Sequence, residues 1–212
     1  MQNSCVTTED SKKRKWAVLI SNVTIPPVIA VFMFSLINYS LLRGFPFFAI
    51  TFITTLFTAI VPLSVLLIWE TKTNAQFDLD IPAREGRSYP LLVAASSYLI
   101  GTVALVAVHA PLLTTVVMFG YFAGSSLLFF INLYWKISIH TMSIAGSTTV
   151  LVFVFGNWGA LMGLLLPLVI WSRVYIKKHT LAQAITGAIL GFVLTAVMLS
   201  LLLLYTPINT VV

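Results

Sequence analysis

Between Trp16 and Tyr205 the chain is a succession of apolar runs, and charged residues stand where one run gives way to the next. Each run approaches the ~20 residues that a helix needs to cross a bilayer core. In lipid every backbone N–H and C=O must be satisfied within the segment or by closed strand pairing, and unbroken runs of this length satisfy it as helices. The chain is 59% hydrophobic and 8% charged, against about 25% charged in an ordinary soluble domain. A soluble fold could not bury that much apolar surface. The architecture expected is therefore all-α, a polytopic transmembrane helical bundle of six to seven spans.

Read in order, residues 1–15 form a basic, cytosolic-looking tail with no cleavable signal pattern, ending in Lys12, Lys13, Arg14 and Lys15. Trp16 to Leu42 is a first span, bent at Pro26-Pro27 and anchored at the interface by Trp16. Phe47 to Trp69 is a second, so that residues 16–69 make an N-terminal two-span hairpin. Residues 70–89 form the polar loop, with four of the six acidic residues. Pro90 to Val108 and Pro111 to Tyr134 follow, joined by a tight turn at His109. Ile139 to Gly156 and Gly159 to Ile176 make a shorter hairpin, and Leu181 to Tyr205 is the last span. Residues 70–212 are read as one membrane core.

Three polar points interrupt that core: Arg84-Glu85-Gly86-Arg87, Lys136-Ile137-Ser138-Ile139-His140, and Ser172-Arg173 through Lys177-Lys178-His179. A two-span hairpin separates each from the next, so all three return to the same face. The basic residues before the first span favour a cytoplasmic N-terminus, which puts eleven of the twelve Lys and Arg inside. A charge in the hydrocarbon costs several kcal/mol, so these clusters mark an interface, a functional site, or both.

Each cluster has a plain and a chemical reading. Ser138 fits a helix N-cap with His140 in the first turn, and a phosphate there would meet free N–H groups and the positive end of the helix dipole. Lys136 adds a point charge; the plain alternative is an interfacial lysine beside an ordinary cap. Arg173 carries a donor fork suited to phosphate oxygens, and His179 is a candidate nucleophile or base because imidazole titrates near neutrality. Lys177 and Lys178 are assigned to membrane orientation. Thr180-Leu181-Ala182-Gln183 reads as a capping box. Arg84 and Arg87, three apart, would share one face of a helix, and their plain reading is a solvated loop. His109 lies at the opposite face and is a turn residue.

Other functions are disfavoured by composition. A single cysteine, Cys5, excludes an internal disulfide and a cysteine-based metal site. The basic residues form no aromatic-interleaved surface for nucleic acid. No ionisable residue stands in mid-span and no inverted repeat is visible, which argues against a transporter. Asp78-Leu79-Asp80 is too little for a magnesium–diphosphate site.

The order and spacing of the clusters resemble the type 2 phosphatidic acid phosphatases, a family of metal-independent membrane lipid phosphatases related to vanadium haloperoxidases. Their third motif, Ser-Arg, five residues, His, three residues, Asp, is matched by Ser172-Arg173, Val174 to Lys178 and His179, with Gln183 where the family has Asp. Their second, Pro-Ser-Gly-His, is met at Ser138 and His140 alone. Their first, Lys, six residues, Arg-Pro, is similar in character to Arg84 and Arg87 with Pro90. The resemblance covers about residues 80–205 and implies a phosphatase-like core of the last five spans. It further implies that His179 is the nucleophile, that His140 is the acid–base, and that Gln183 orients His179. Arg173, Arg84, Arg87, Ser138, Lys136 and Ser172 would hold the phosphate. It implies no metal or other cofactor, and a membrane lipid as substrate. With Gln183 in place of the carboxylate, a catalytically impaired relative that binds phosphorylated lipid is the alternative expectation.

Overall fold

In a computed structural model of the chain, residues 8–73, 86 and 88–206 are described, and every regular element among them is helical. The helices are α1 (Thr8–Val23), α2 (Pro26–Leu41), α3 (Phe45–Thr55), α4 (Val61–Thr73), α5 (Ser88–Ala107), α6 (Leu112–Asn132), α7 (Ile139–Phe155), α8 (Leu165–Tyr175) and α9 (Leu181–Tyr205). A π-helical turn, Leu56–Ile60, joins α3 to α4, and a 3-10 helix, Gly156–Leu164, joins α7 to α8. Among the described residues five helical segments are long and apolar enough to cross a bilayer, and the bent pair α1/α2 makes a sixth. The chain is an integral membrane helical bundle.

Three interruptions shape it, each with a local cause. Pro26 and Pro27 cannot continue the ladder of α1, so the chain restarts there at an angle of 52°. The helix begins at Thr8 rather than near Trp16, so part of the expected tail is helical, with Lys13 bridging to Glu9 at 2.8 Å. Pro62 lacks the N–H that would close the next rung after the π-turn, where Val61 donates to Leu56. The carbonyl of Phe57 instead accepts the hydroxyl of Ser97 from α5 at 2.7 Å.

The third interruption is the hairpin expected at Gly156. The helical run Ile139–Tyr175 has 37 residues, which as one straight helix would be about 55 Å long. Its two ends nevertheless meet: Lys136 Nζ donates to the carbonyl of Lys178 at 2.8 Å, and the Ser138 N–H donates to the carbonyl of Gln183 at 3.2 Å. The run therefore folds back on itself. Gly156 has a φ of +59°, open to glycine at little cost. Gly159 lies against α7 so closely that a Cβ there would come within 2.2 Å of the Leu151 carbonyl oxygen.

Helix α7 is the axis, packed against α9, α2, α8 and the returning 3-10 segment. Its seam with α9 depends on Gly187 and Gly191, four apart; a Cβ on Gly191 would stand 2.2 Å from the Met142 carbonyl oxygen. Small residues at this spacing let helix backbones approach in lipid, where no hydrophobic force drives helices together. Elsewhere Asn38, fully buried in α2, accepts the Thr114 hydroxyl at 2.8 Å and donates to Thr51 at 3.3 Å. This links α2, α3 and α6. Apolar side chains such as Phe48, Phe52, Val103 and Phe192 cover the outside, as a lipid-facing surface requires. Exposed Trp16, Tyr134, Trp135 and Trp171 flank the end where α7 begins, and exposed Trp158 and Tyr205 lie at the other, in the manner of interfacial aromatic belts.

Candidate functional site

The N-terminus of α7 is built as the sequence suggests. Ser138 is the N-cap, its Oγ accepting the Thr141 N–H at 3.5 Å, and His140 occupies the first turn. The cap is reinforced by a residue that sequence reasoning did not single out. The Thr141 hydroxyl reaches the carbonyl of Ser138 at 3.1 Å and that of Ala184 in α9 at 2.8 Å. Gly187 makes room for this contact, because a Cβ there would come 2.4 Å from the Ser138 carbonyl oxygen.

The partner segment is the link between α8 and α9. Helix α8 ends in a Schellman motif: Lys178 donates its N–H to Arg173 O at 3.1 Å, and Lys177 donates to Val174 O at 3.0 Å. The C′ residue of that motif is normally glycine; here it is Lys177, with a φ of +58°. His109 plays the same part at the end of α5, with a φ of +52°, and is a turn residue as expected. The His179 N–H also donates to Arg173 O, at 3.2 Å, so one carbonyl holds the two residues that follow the turn.

The expected capping box opens α9. Thr180 Oγ1 accepts the Gln183 N–H at 3.3 Å, and Gln183 Oε1 accepts the Thr180 N–H at 3.1 Å. That second bond fixes which end of the amide is oxygen. The same Oε1 lies 3.3 Å from His179 Nδ1, and an amide oxygen only accepts, so Nδ1 carries the proton. In neutral His179 the unprotonated nitrogen is then Nε2. Gln183 thus meets the ring with a neutral group.

The two segments meet through the Lys136–Lys178 and Ser138–Gln183 bonds described above, so the segment that carries His140 lies against the one that carries His179 and Gln183. His140 and His179 are each 6% exposed. Among the described residues Arg173 is the largest side chain that is fully buried. One of its guanidinium nitrogens, Nη1, donates to Ser21 Oγ of α1 at 2.7 Å. Its neighbour Ser172, also fully buried, donates to the Ala17 carbonyl of the same helix at 2.6 Å. The Ser172 hydroxyl proton is thus engaged by α1. Arg84 and Arg87, and with them Asp78, Asp80 and Glu85, lie outside the described residues. Helices α5 and α6 form an antiparallel hairpin about the tight His109 turn, so α5 begins at the same end of the bundle as Lys136.

Below this joint is a cavity of about 90 Å³ among α5, α6, α7 and α9. It starts at Ile139 and Met142, beside His140 in sequence, and runs along α7 to Val150. Its lining is mainly apolar, with the Tyr121 hydroxyl and Ser147 Oγ 3.2 Å apart at its wall. Gly120, Gly124 and Gly146 keep it open by offering no side chain. Among the described residues no group of three His, Cys, Asp or Glu side chains is placed to hold a metal ion.

Compared with protein-family profiles, curated proteins and solved structures, the chain matches none.

Proposed function

We propose that the chain is a membrane phosphatase hydrolysing a lipid phosphate or polyprenyl diphosphate through a phosphohistidine. What carries this reading is the joint itself: hydrogen bonds from Lys136 and Ser138 to Lys178 and Gln183 bring two histidine-bearing segments together at one end of the bundle. The resemblance to type 2 phosphatidic acid phosphatases supplies the chemistry. The Nε2 lone pair of His179, set by the Gln183 contact, attacks phosphorus, and the bond from phosphorus to the lipid oxygen breaks. His140 donates the proton to that leaving oxygen. Water then attacks the phosphohistidine and gives a proton back to His140. The P–N bond breaks and inorganic phosphate leaves. In this reading Arg173, Lys136, Arg84, Arg87 and Ser138, with the N-terminus of α7, hold the phosphate oxygens and stabilise the charge of the transition state, while Ser172, whose proton goes to the Ala17 carbonyl, holds α8 against α1. No metal takes part.

The cavity favours a lipid over a soluble ester. A head group at His140 would place its chain at Ile139 and Met142, where the apolar lining begins. The basic run Lys12 to Lys15, with Lys177 and Lys178, supports a cytoplasmic N-terminus and site in the cell membrane.

The test is phosphate release by the purified protein in excess EDTA, offered phosphatidic acid and a short polyprenyl diphosphate. Metal-independent release that disappears in His179→Ala is the expected result; equal turnover by that variant would remove the assignment. A second reading rests on Gln183. A neutral amide cannot stabilise imidazolium as the family carboxylate does, and losing that charge in a serine-protease triad costs about 10⁴ in rate. The chain would then bind phosphorylated lipid without turning it over, and tight binding with no product after hours would favour it.

A further inference from the structure

We infer that the N-terminal helix α1 is part of the phosphate site, with Ser21 as the positioning residue of Arg173; this rests on the phosphatase reading. The observation is a pair of buried contacts from one helix to two adjacent residues. Ser21 Oγ accepts from Arg173 Nη1 at 2.7 Å, and the Ala17 carbonyl accepts from Ser172 Oγ at 2.6 Å. Ala17 and Ser21 are four apart, so they lie one above the other on a single helix face. That face is the one turned inward. Ala17, Ser21 and Thr24 are buried while Trp16, Leu19 and Val23 are exposed. The Thr24 hydroxyl is already satisfied by the Ile20 carbonyl at 2.7 Å within its own helix. Ser21 instead offers its oxygen outward, to a guanidinium.

A buried arginine has several rotatable bonds and grips phosphate well only when its planar fork is held at a fixed angle. Helix α8 fixes the Arg173 backbone, through the two N–H groups that its carbonyl accepts. Ser21 fixes the other end of the side chain. The fork is then presented from two anchors, one at the carbonyl and one at Nη1, with α1 supplying the second. Ser172 pins the same turn of α8 to α1, so the distance between the helices is set one residue away from the fork. Residues that hold a binding group in register in this way raise affinity by removing the cost of ordering it.

Ser21→Ala removes the acceptor and leaves the α1 backbone, and with it the Ala17 contact, in place. The phosphatase is assayed in detergent with phosphatidic acid, with inorganic phosphate as a competing product, for wild type, Ser21→Ala, Ser21→Thr and Ser21→Cys. Ser21→Ala is expected to raise both KM and the inhibition constant of phosphate about tenfold, the size of a lost hydrogen bond to a charged group. Because Arg173 is buried, the melting temperature should also fall by a few degrees, and the rise in the phosphate constants is the readout that a structural contact alone would not give. Ser21→Thr, which keeps the oxygen, should restore both constants, and Ser21→Cys, with a weak sulfur acceptor, should fall between. If Ser21→Ala does not fold, the Ser21→Cys and Ser21→Thr pair decides the matter. Wild-type constants in Ser21→Ala or Ser21→Cys, with turnover still lost in His179→Ala, would overturn this inference and leave the phosphatase reading standing. Should wild type bind phosphatidic acid without hydrolysing it, the same series is read on the dissociation constant. Wild type that neither binds nor hydrolyses it would overturn both.

Discussion

The backbone N–H of Ser138 donates to the carbonyl of Gln183 across 3.2 Å, tying the cap of α7 to the first turn of α9. One capping residue is bound to another, so the starts of two helices form a single joint. Beside it the Lys136 ammonium closes on the Lys178 carbonyl at 2.8 Å. The two histidines are carried on the two sides of this joint.

Gln183 Oε1 meets the His179 ring and also caps α9, so substitutions there separate two effects. Gln183→Glu keeps the length and the cap and adds a negative charge. A carboxylate favours imidazolium and raises the pKa of the ring, so the acid limb of the pH–rate profile should move to higher pH, with turnover above it increased severalfold. Gln183→Leu should lower turnover at every pH and cost about 1 kcal/mol of stability, as a lost cap does. A pH–rate profile that is the same in all three proteins would show that Gln183 does not orient His179.

The close seam between α7 and α9 makes a stability prediction. In Gly191→Ala a methyl would meet the Met142 carbonyl at 2.2 Å, with backbone on the other side. The helices must separate, and thermal unfolding in detergent should show a loss of about 2–3 kcal/mol. Gly120→Ala meets only the end of the Met198 side chain, at 3.1 Å, and should be nearly neutral. Equal melting temperatures for the two variants would contradict the seam.

Lys177 should accept glycine with a gain. It is exposed, and its φ of +58° costs a residue with a Cβ about 1 kcal/mol. Lys177→Gly is expected to raise stability by about 0.5–1 kcal/mol, less the greater freedom of glycine in the unfolded chain. A lower melting temperature would mean that the Lys177 side chain has an unrecognised structural partner.

The cavity offers a test of chain length. Gly120→Leu places a side chain in the space among α5, α6, α7 and α9. KM for long-chain phosphatidic acid should rise several-fold, while that for a short-chain analogue should change little. Equal effects on both would place the lipid chain elsewhere.

Much of this was legible because it is local. Apolar run length gave the helices, Pro26-Pro27 the bend, and Gly156 the hairpin. The Ser138 cap and the Thr180–Gln183 box follow from residue types at fixed spacing. The meeting of the Lys136–His140 and Arg173–His179 segments followed from counting crossings. Contacts between distant residues left no such pattern. Nothing in Ala17 or Ser21 announces that α1 receives Ser172 and Arg173. The π-turn before Pro62 depends on a hydroxyl forty residues away in Ser97. Gly187 and Gly191 did leave a signal, a glycine pair four apart in an apolar span, but the pair does not say which helix it will meet.

The most direct test of the central claim is rapid-quench labelling, stopped in alkaline detergent, with phosphatidic acid carrying a radioactive phosphate, in excess EDTA. Within the first turnover label should be bound to the protein, labile to acid and stable to alkali, and absent from His179→Ala. Label that passes from lipid to inorganic phosphate without ever residing on the protein would contradict it.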